Sequence, residues 1–163
     1  MNEPKKLLRG FGYGAKGILY GIRTQRNLRI HLCALVTVIW FDGMAGFSLE
    51  HWCLELLCCM AVISLELMNT ALEALCDRVS PARHPLIGHA KDAAAGGVLV
   101  SAVGSAGIGT ALFLRGDPNY LLRTRQRLAC TGVQVGLGCF FVLAALFVFL
   151  PCYLQKNDKK ESL

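Results

Sequence analysis

Charge is what this chain lacks. Only 17% of its 163 residues are Asp, Glu, Lys or Arg, while 54% are hydrophobic. An ordinary soluble domain carries about 25% charge, and a chain this short buries a limited fraction of its surface in one core. A soluble monomer is therefore excluded. So is a disordered chain, which needs low hydrophobicity. The length suits one domain, and its apolar excess is expected to face lipid. C-x-x-C pairs and His/Cys clusters are missing too: the eight cysteines, at 33, 53, 58, 59, 76, 130, 139 and 152, lie mostly in apolar runs. That excludes a zinc site and leaves the cysteines as small core and lipid-facing residues. There is no internal repeat and no low-complexity run.

What charge there is clusters. Seven Lys/Arg fall within residues 1–29, interleaved with Leu7, Leu8, Phe11, Ala15, Ile18, Leu19 and Ile22 at helical spacing. No apolar core region or small-residue cleavage site follows, so this is not a secretory signal. A basic amphipathic helix lying on an anionic membrane face is predicted.

Four apolar segments follow: Leu32–Leu49, Trp52–Cys76, Ala93–Leu114 and Leu128–Leu154. A helix needs about 20 apolar residues to cross a bilayer. The last two carry no charge, the first carries Asp42, and the second carries Glu55, Glu66 and Glu73. With the N-terminus inside, thirteen Lys/Arg lie on the inner side and four on the outer, the bias expected for that orientation. The four outer residues, Arg115, Arg123, Arg125 and Arg127, run locally against it. In the third span Ala93, Gly97, Ser101, Ser105 and Gly109 recur every four residues, a seam along which another helix can approach.

The informative block is Glu66, Asn69, Glu73 and Asp77. Spacings of 3, 4 and 4 place them within roughly 80° of helix circumference, one polar stripe on an apolar helix. Acids inside a span are costly and point to function. Glu55, nearer the other end, reads as interfacial. His84, His89, Lys91 and Asp92 follow on the inner side. Carboxylates, a lysine and a basic surface helix at one membrane face suit a divalent metal with a polyphosphate, since Mg²⁺ is held by one or two carboxylates plus phosphate oxygens. Gly12–Gly17 spells G-x-G-x-x-G but follows no strand, and Lys16 precedes Gly17 rather than Ser or Thr. Neither a dinucleotide fold nor a Walker loop is read there. Close packing of the surface helix, or backbone exposed near a ligand, is expected instead.

The block Glu66-x-x-Asn69-Thr70-Ala71-x-Glu73-x-x-x-Asp77, then His84-Pro85 and Ala90-Lys91-Asp92, closely resembles the prokaryotic diacylglycerol kinase family. Gly12-Tyr13-x-x-Lys16-Gly17 and Arg26-Asn27-Leu28-Arg29-Ile30-His31 also match, so the resemblance covers residues 5–114. It implies an all-α integral membrane protein with a surface helix and three spans, forming homotrimers with composite sites. It also implies transfer of the ATP γ-phosphate, with Mg²⁺, to a membrane lipid at the cytoplasmic face of the bacterial inner membrane. No nucleic acid partner is expected.

By the resemblance, Glu66 is the general base on the lipid hydroxyl. Glu73 ligates the nucleotide-bound metal. Tyr13, Lys91 and Asp92 meet the nucleotide, while Asn69 and Asp77 shape the site. The Arg26–His31 run and Ser80-Pro81-x-x-His84-Pro85 look more like the undecaprenol kinase branch, with diacylglycerol as the second candidate substrate. Two features depart from the pattern. Gln25 stands where the family has a second glutamate ligand, and residues 115–163 add a fourth span. They motivate the rival reading of a catalytically weakened or non-catalytic protein of the same fold. A proton-coupled carrier using the Glu66/Glu73 stripe is the third.

Overall fold

In a computed structural model, residues 3–79, 84–115 and 119–161 are described, and among them the chain forms six helices and no strand. They are α1 (Glu3–Thr24), α2 (Arg26–Ala45), α3 (Leu49–Val79), α4 (Pro85–Arg115), α5 (Tyr120–Leu128) and α6 (Thr131–Glu161). Four helices, α2, α3, α4 and α6 over Gly132–Pro151, are long and apolar enough to cross a membrane. The sequence expectation of an all-α membrane protein with four spans holds. Ser80, Pro81 and Arg83, and the side chains of Lys156, Lys159 and Lys160, lie outside the described residues.

Both α3 and α4 have 31 residues, about 46 Å of helix against about 30 Å of hydrocarbon. The apolar runs underestimate these helices because their ends continue into the headgroup region, where charge is tolerated. That extra length carries Asp77 and Lys91.

The surface helix is shorter than its charge pattern suggests. It ends at Thr24, and Gln25 is extended at φ −107°, ψ 116°. Arg26–His31, read from sequence as surface helix up to Arg29, instead opens α2. The cause is Arg29, whose guanidinium donates to the carbonyls of Ile22 at 2.8 Å and Arg23 at 3.4 Å. Those are last-turn carbonyls of α1, left without helical partners. Leu7, Leu8, Phe11, Ile18 and Leu19 remain exposed along α1, the condition of an apolar stripe that lies on lipid. Gly12, Gly14 and Gly17 have open space where a side chain would go, so the close packing expected there is absent. It occurs at Gly21 instead. A Cβ there would sit 2.7 Å from Leu28 Cδ2 and 3.0 Å from Leu67 Cδ2, where α1 crosses α2 and α3.

Helix α3 is central, packed between α2 and α4, while α5 and α6 pack on α2. The interior is unusually polar. Arg29, Asp42, Glu55, Glu66, Asn69, Thr70 and Thr124 are buried, whereas Leu99, Val100, Val103 and Phe141 are exposed. This inversion fits a bilayer, where apolar side chains gain nothing by leaving lipid and polar groups seek protein partners. The small-residue seam of α4 is only half used. Ser105 donates to the Cys58 carbonyl at 3.4 Å, and Gly109 approaches the Glu55 carboxyl, but Gly97 faces open space. A four-residue repeat drifts about 40° per step on a helix of 100° per residue, so the stripe winds away from α3 towards Ala93.

The arginine-rich stretch resolves into α5, a helix not anticipated from the sequence. Arg127 Nη1 donates to the Gly43 carbonyl at 2.6 Å, and Arg123 Nη1 to the Gly46 carbonyl at 3.4 Å. Gly46, at φ 68°, ends α2 in the left-handed conformation. The arginines thus cap the C-terminus of α2, where the helix dipole favours positive charge. Phe41, Phe47, Phe113 and Tyr120 stack around the same end.

Candidate active site

The polar stripe of α3 is real and graded in burial. Glu66 and Asn69 are buried, Glu73 is half-buried and Asp77 is exposed. The stripe therefore runs from inside the bundle to its open end at the α1–α2 junction. Seven residues separate Glu66 from Glu73, about 10 Å of helix.

Glu73 is the hub. Its Oε1 accepts from Asn69 Nδ2 at 3.2 Å, and its Oε2 from Gln25 Nε2 at 3.4 Å. The extended backbone at Gln25 aims that amide at α3. Asn69 Oδ1, on the other side of the amide that donates to Glu73, is buried without a hydrogen-bond partner among the described residues. Beneath it, the Thr70 hydroxyl donates to the Glu66 carbonyl at 2.8 Å. That bond keeps the helix polar face satisfied while leaving the Glu66 carboxyl unclaimed by it. One turn above Glu73, Lys91 Nζ pairs with Asp77 Oδ1, joining α4 to α3.

Gln25, Glu66, Asn69 and Glu73 are thus drawn together, with Asp77 and Lys91 beside them. Asp92 follows Lys91 but is exposed on another side of α4. Tyr13 stands apart. It is 69% exposed, with Lys16 Nζ 6.0 Å from its ring centroid, and lies twelve residues up α1 from Gln25, about 18 Å along the axis.

This arrangement of acids, amides and lysine at the mouth of a membrane bundle can be set against known proteins. A family profile described as prokaryotic diacylglycerol kinase matches residues 12–113. The chain belongs to the prokaryotic diacylglycerol kinase family. It is 38% identical over 113 residues to the undecaprenol kinase of Bacillus subtilis, covering 69% of this chain and 92% of that protein. It is 40% identical over 110 residues to a diacylglycerol kinase of Synechocystis, covering 66% and 62% of the two chains. A diacylglycerol kinase of Pseudomonas aeruginosa is 34% identical over 88 residues, covering 54% and 72%. No solved structure matches. The family match ends at the close of α4, so α5 and α6 lie beyond it.

Sequence reasoning overlooked two groups of residues. Arg29 is one: it is 2% exposed, and besides holding α1 it donates to the Val148 carbonyl of α6. The other is at the far end of the bundle. Glu55, read as interfacial, is buried in the bundle at 9% exposure beside Asp42 of α2, which has His51 as a further electrostatic neighbour. The signal was available in part, since Glu55 lies eleven residues before Glu66, almost in line with it on the helix. Its partner on α2 could not be read from spacing along one chain.

Proposed function

We propose that this protein is a lipid kinase that moves the γ-phosphate of ATP to the hydroxyl of a membrane lipid, undecaprenol before diacylglycerol. The observation that carries the proposal is the Glu66–Asn69–Glu73 constellation, with Gln25 closing it from the α1–α2 junction. The names of the relatives support the lipid class, and an undecaprenol kinase is matched over 92% of its length.

The residues fit a nucleotide-borne Mg²⁺. Among the described residues no three His, Cys, Asp or Glu side chains group as a metal site. Mg²⁺ needs only one or two carboxylates when phosphate oxygens complete its shell. Glu73 offers the carboxylate, and the side-chain oxygens of Asn69 and Gln25 would join it as neutral ligands once their amides, which now turn nitrogen to Glu73, rotate. When bound, the ion would neutralise charge on the phosphates.

The chain's own residues then divide the work. The Glu66 carboxylate takes the proton from the lipid hydroxyl. The lipid oxygen forms its bond to the γ-phosphorus as the bond to the β-phosphate oxygen breaks, and ADP leaves. Lys91, oriented by Asp77, supplies positive charge for the phosphates, and Asp92 and Tyr13 extend the nucleotide contact. Glu66 lies deeper than Glu73, which places the hydroxyl end towards lipid and the phosphate end towards water. The distance of Tyr13 from Glu73 within one chain suits a composite site in which a second copy of a homotrimer contributes its surface helix. We assign the site to the cytoplasmic face of the bacterial inner membrane because the basic helix α1 lies at that end. Residues 1–114 form the kinase unit and 115–163 an extension.

A second reading has its own observation. Gln25 is neutral, and its amide donates a hydrogen bond to the carboxylate that would ligate metal. A weakened or non-catalytic protein follows if that bond persists when nucleotide binds. Purified protein incubated with labelled ATP, Mg²⁺ and each lipid separates the readings. Labelled lipid phosphate is expected with undecaprenol. Absence of product with every lipid, at all metal concentrations, overturns the kinase reading.

A further inference from the structure

The C-terminal extension builds a groove that the kinase reading does not use. It lies between α2 and α6, has a volume of about 430 Å³, and is lined by Thr37, Trp40, Gly132, Gly136 and Phe140 among others. Those residues belong to the C-terminal half of α2 and the N-terminal half of α6. The groove therefore sits in the half of the membrane away from Gln25 and Glu73, since α2 itself spans about 30 Å. Its glycines keep it open: a side chain at Gly132 or Gly136 would meet nothing within 4 Å.

We propose that this groove binds one acyl chain of an anionic phospholipid, with the lipid phosphate on Arg127 at its mouth. Size argues for a chain over a helix. A helix is about 10–12 Å across, so two turns of one occupy roughly 850–1,200 Å³, at least about twice the groove. Charge complementarity selects the headgroup. Helix α5 carries Arg123, Arg125 and Arg127 and no acid. Arg127 is tied by one nitrogen to the Gly43 carbonyl, one turn from Trp40 of the groove wall. A guanidinium has five N–H donors, so four remain for phosphate, and Arg matches phosphate in a two-pronged geometry. The start of α6, one residue before Gly132, adds the positive end of its dipole, with the Val133 and Gln134 N–H groups already bonded to the Cys130 carbonyl. The position of the site explains why arginines sit against the positive-inside trend: they serve a lipid headgroup and the end of α2 at once.

Native mass spectrometry on the Glu66→Gln protein, without ATP, tests this apart from catalysis. The detergent-purified chain is exchanged with phosphatidylglycerol, phosphatidylcholine or inorganic phosphate. One phosphatidylglycerol retained per chain, at least tenfold over phosphatidylcholine, is expected. Gly136→Phe should abolish retention, and Arg127→Gln should remove the preference for the anionic lipid, both with the helical circular dichroism of the parent. Equal retention of the two lipids, or retention unchanged in Gly136→Phe, overturns the proposal in favour of ordinary lipid contact. Saturable binding of inorganic phosphate that displaces the lipid headgroup, with no requirement for a chain, overturns it in favour of a free-anion site. If Gly136→Phe loses its helical signal, Gly132→Leu is read in its place by the same criteria.

Discussion

Arg29 of α2 holds Val148 of α6 through two donors to one carbonyl, Nε at 3.3 Å and Nη2 at 3.1 Å. The same guanidinium bonds the last turn of α1. One buried cation therefore joins the surface helix, the first span and the fourth span, four residues from Gln25. Pro151 lies three residues beyond Val148. A proline inside a helix lacks the N–H that would bond the carbonyl four residues back, here that of Phe147, and weakens the ladder in the turn that also holds Val148. The extension is fastened to the very junction that aims Gln25 at Glu73.

Replacing Arg29 by Met should therefore loosen both ends. Each hydrogen bond to a charged group contributes about 1.5–3 kcal/mol, and the variant strands buried carbonyls. A loss of about 2 kcal/mol or more is expected, read as a fall in denaturation midpoint in detergent. Unchanged stability would show that these bonds are not held in solution.

Glu66→Gln should abolish turnover while leaving nucleotide affinity intact. General-base removal costs about 10²–10⁴-fold in rate, and the amide is close to isosteric. Turnover near that of the parent would remove Glu66 from the base role.

Gln25→Glu should lower the Mg²⁺ concentration needed for half-maximal activity, because a second carboxylate joins Glu73 beside the phosphates. It also removes the amide donor now on Glu73 Oε2. An identical metal titration in parent and variant would mean that residue 25 does not face the metal.

Lys91→Ala should raise KM for ATP with little effect on the melting midpoint. Its pair with Asp77 is solvent-accessible, and exposed pairs add little to stability. Asp77→Asn should move KM in the same direction but less, since it orients the lysine without touching phosphate. A large fall in melting midpoint with unchanged KM would make the pair a structural tie alone.

Much of the site was legible in order along the chain. Glu66, Asn69, Glu73 and Asp77 share one helix, and 100° per residue aligns them without any help from packing. Gln25 was singled out only as a departure from a family pattern. Its bond to Glu73 crosses 48 residues of sequence, a distance that no local periodicity spans. The surface helix was read too long because its charges continue past Gln25, whereas the break depends on Arg29 turning back to α1. Spacing alone puts Glu55 at the interface because an isolated acid near a helix end is cheapest in water, yet Asp42 gives it company inside the bundle.

By itself the sequence determined that this is a membrane protein of four apolar helices with an acidic stripe on the second. Composition and helical period are local properties, and the bilayer admits few other answers. Only the tertiary structure decided which polar groups meet: Gln25 with Glu73, Arg29 with Val148, Asp42 with Glu55, and α5 on the end of α2. Those pairings join separate helices. They are fixed by which faces pack once polar groups must find partners away from water, and spacing along one chain does not carry that information.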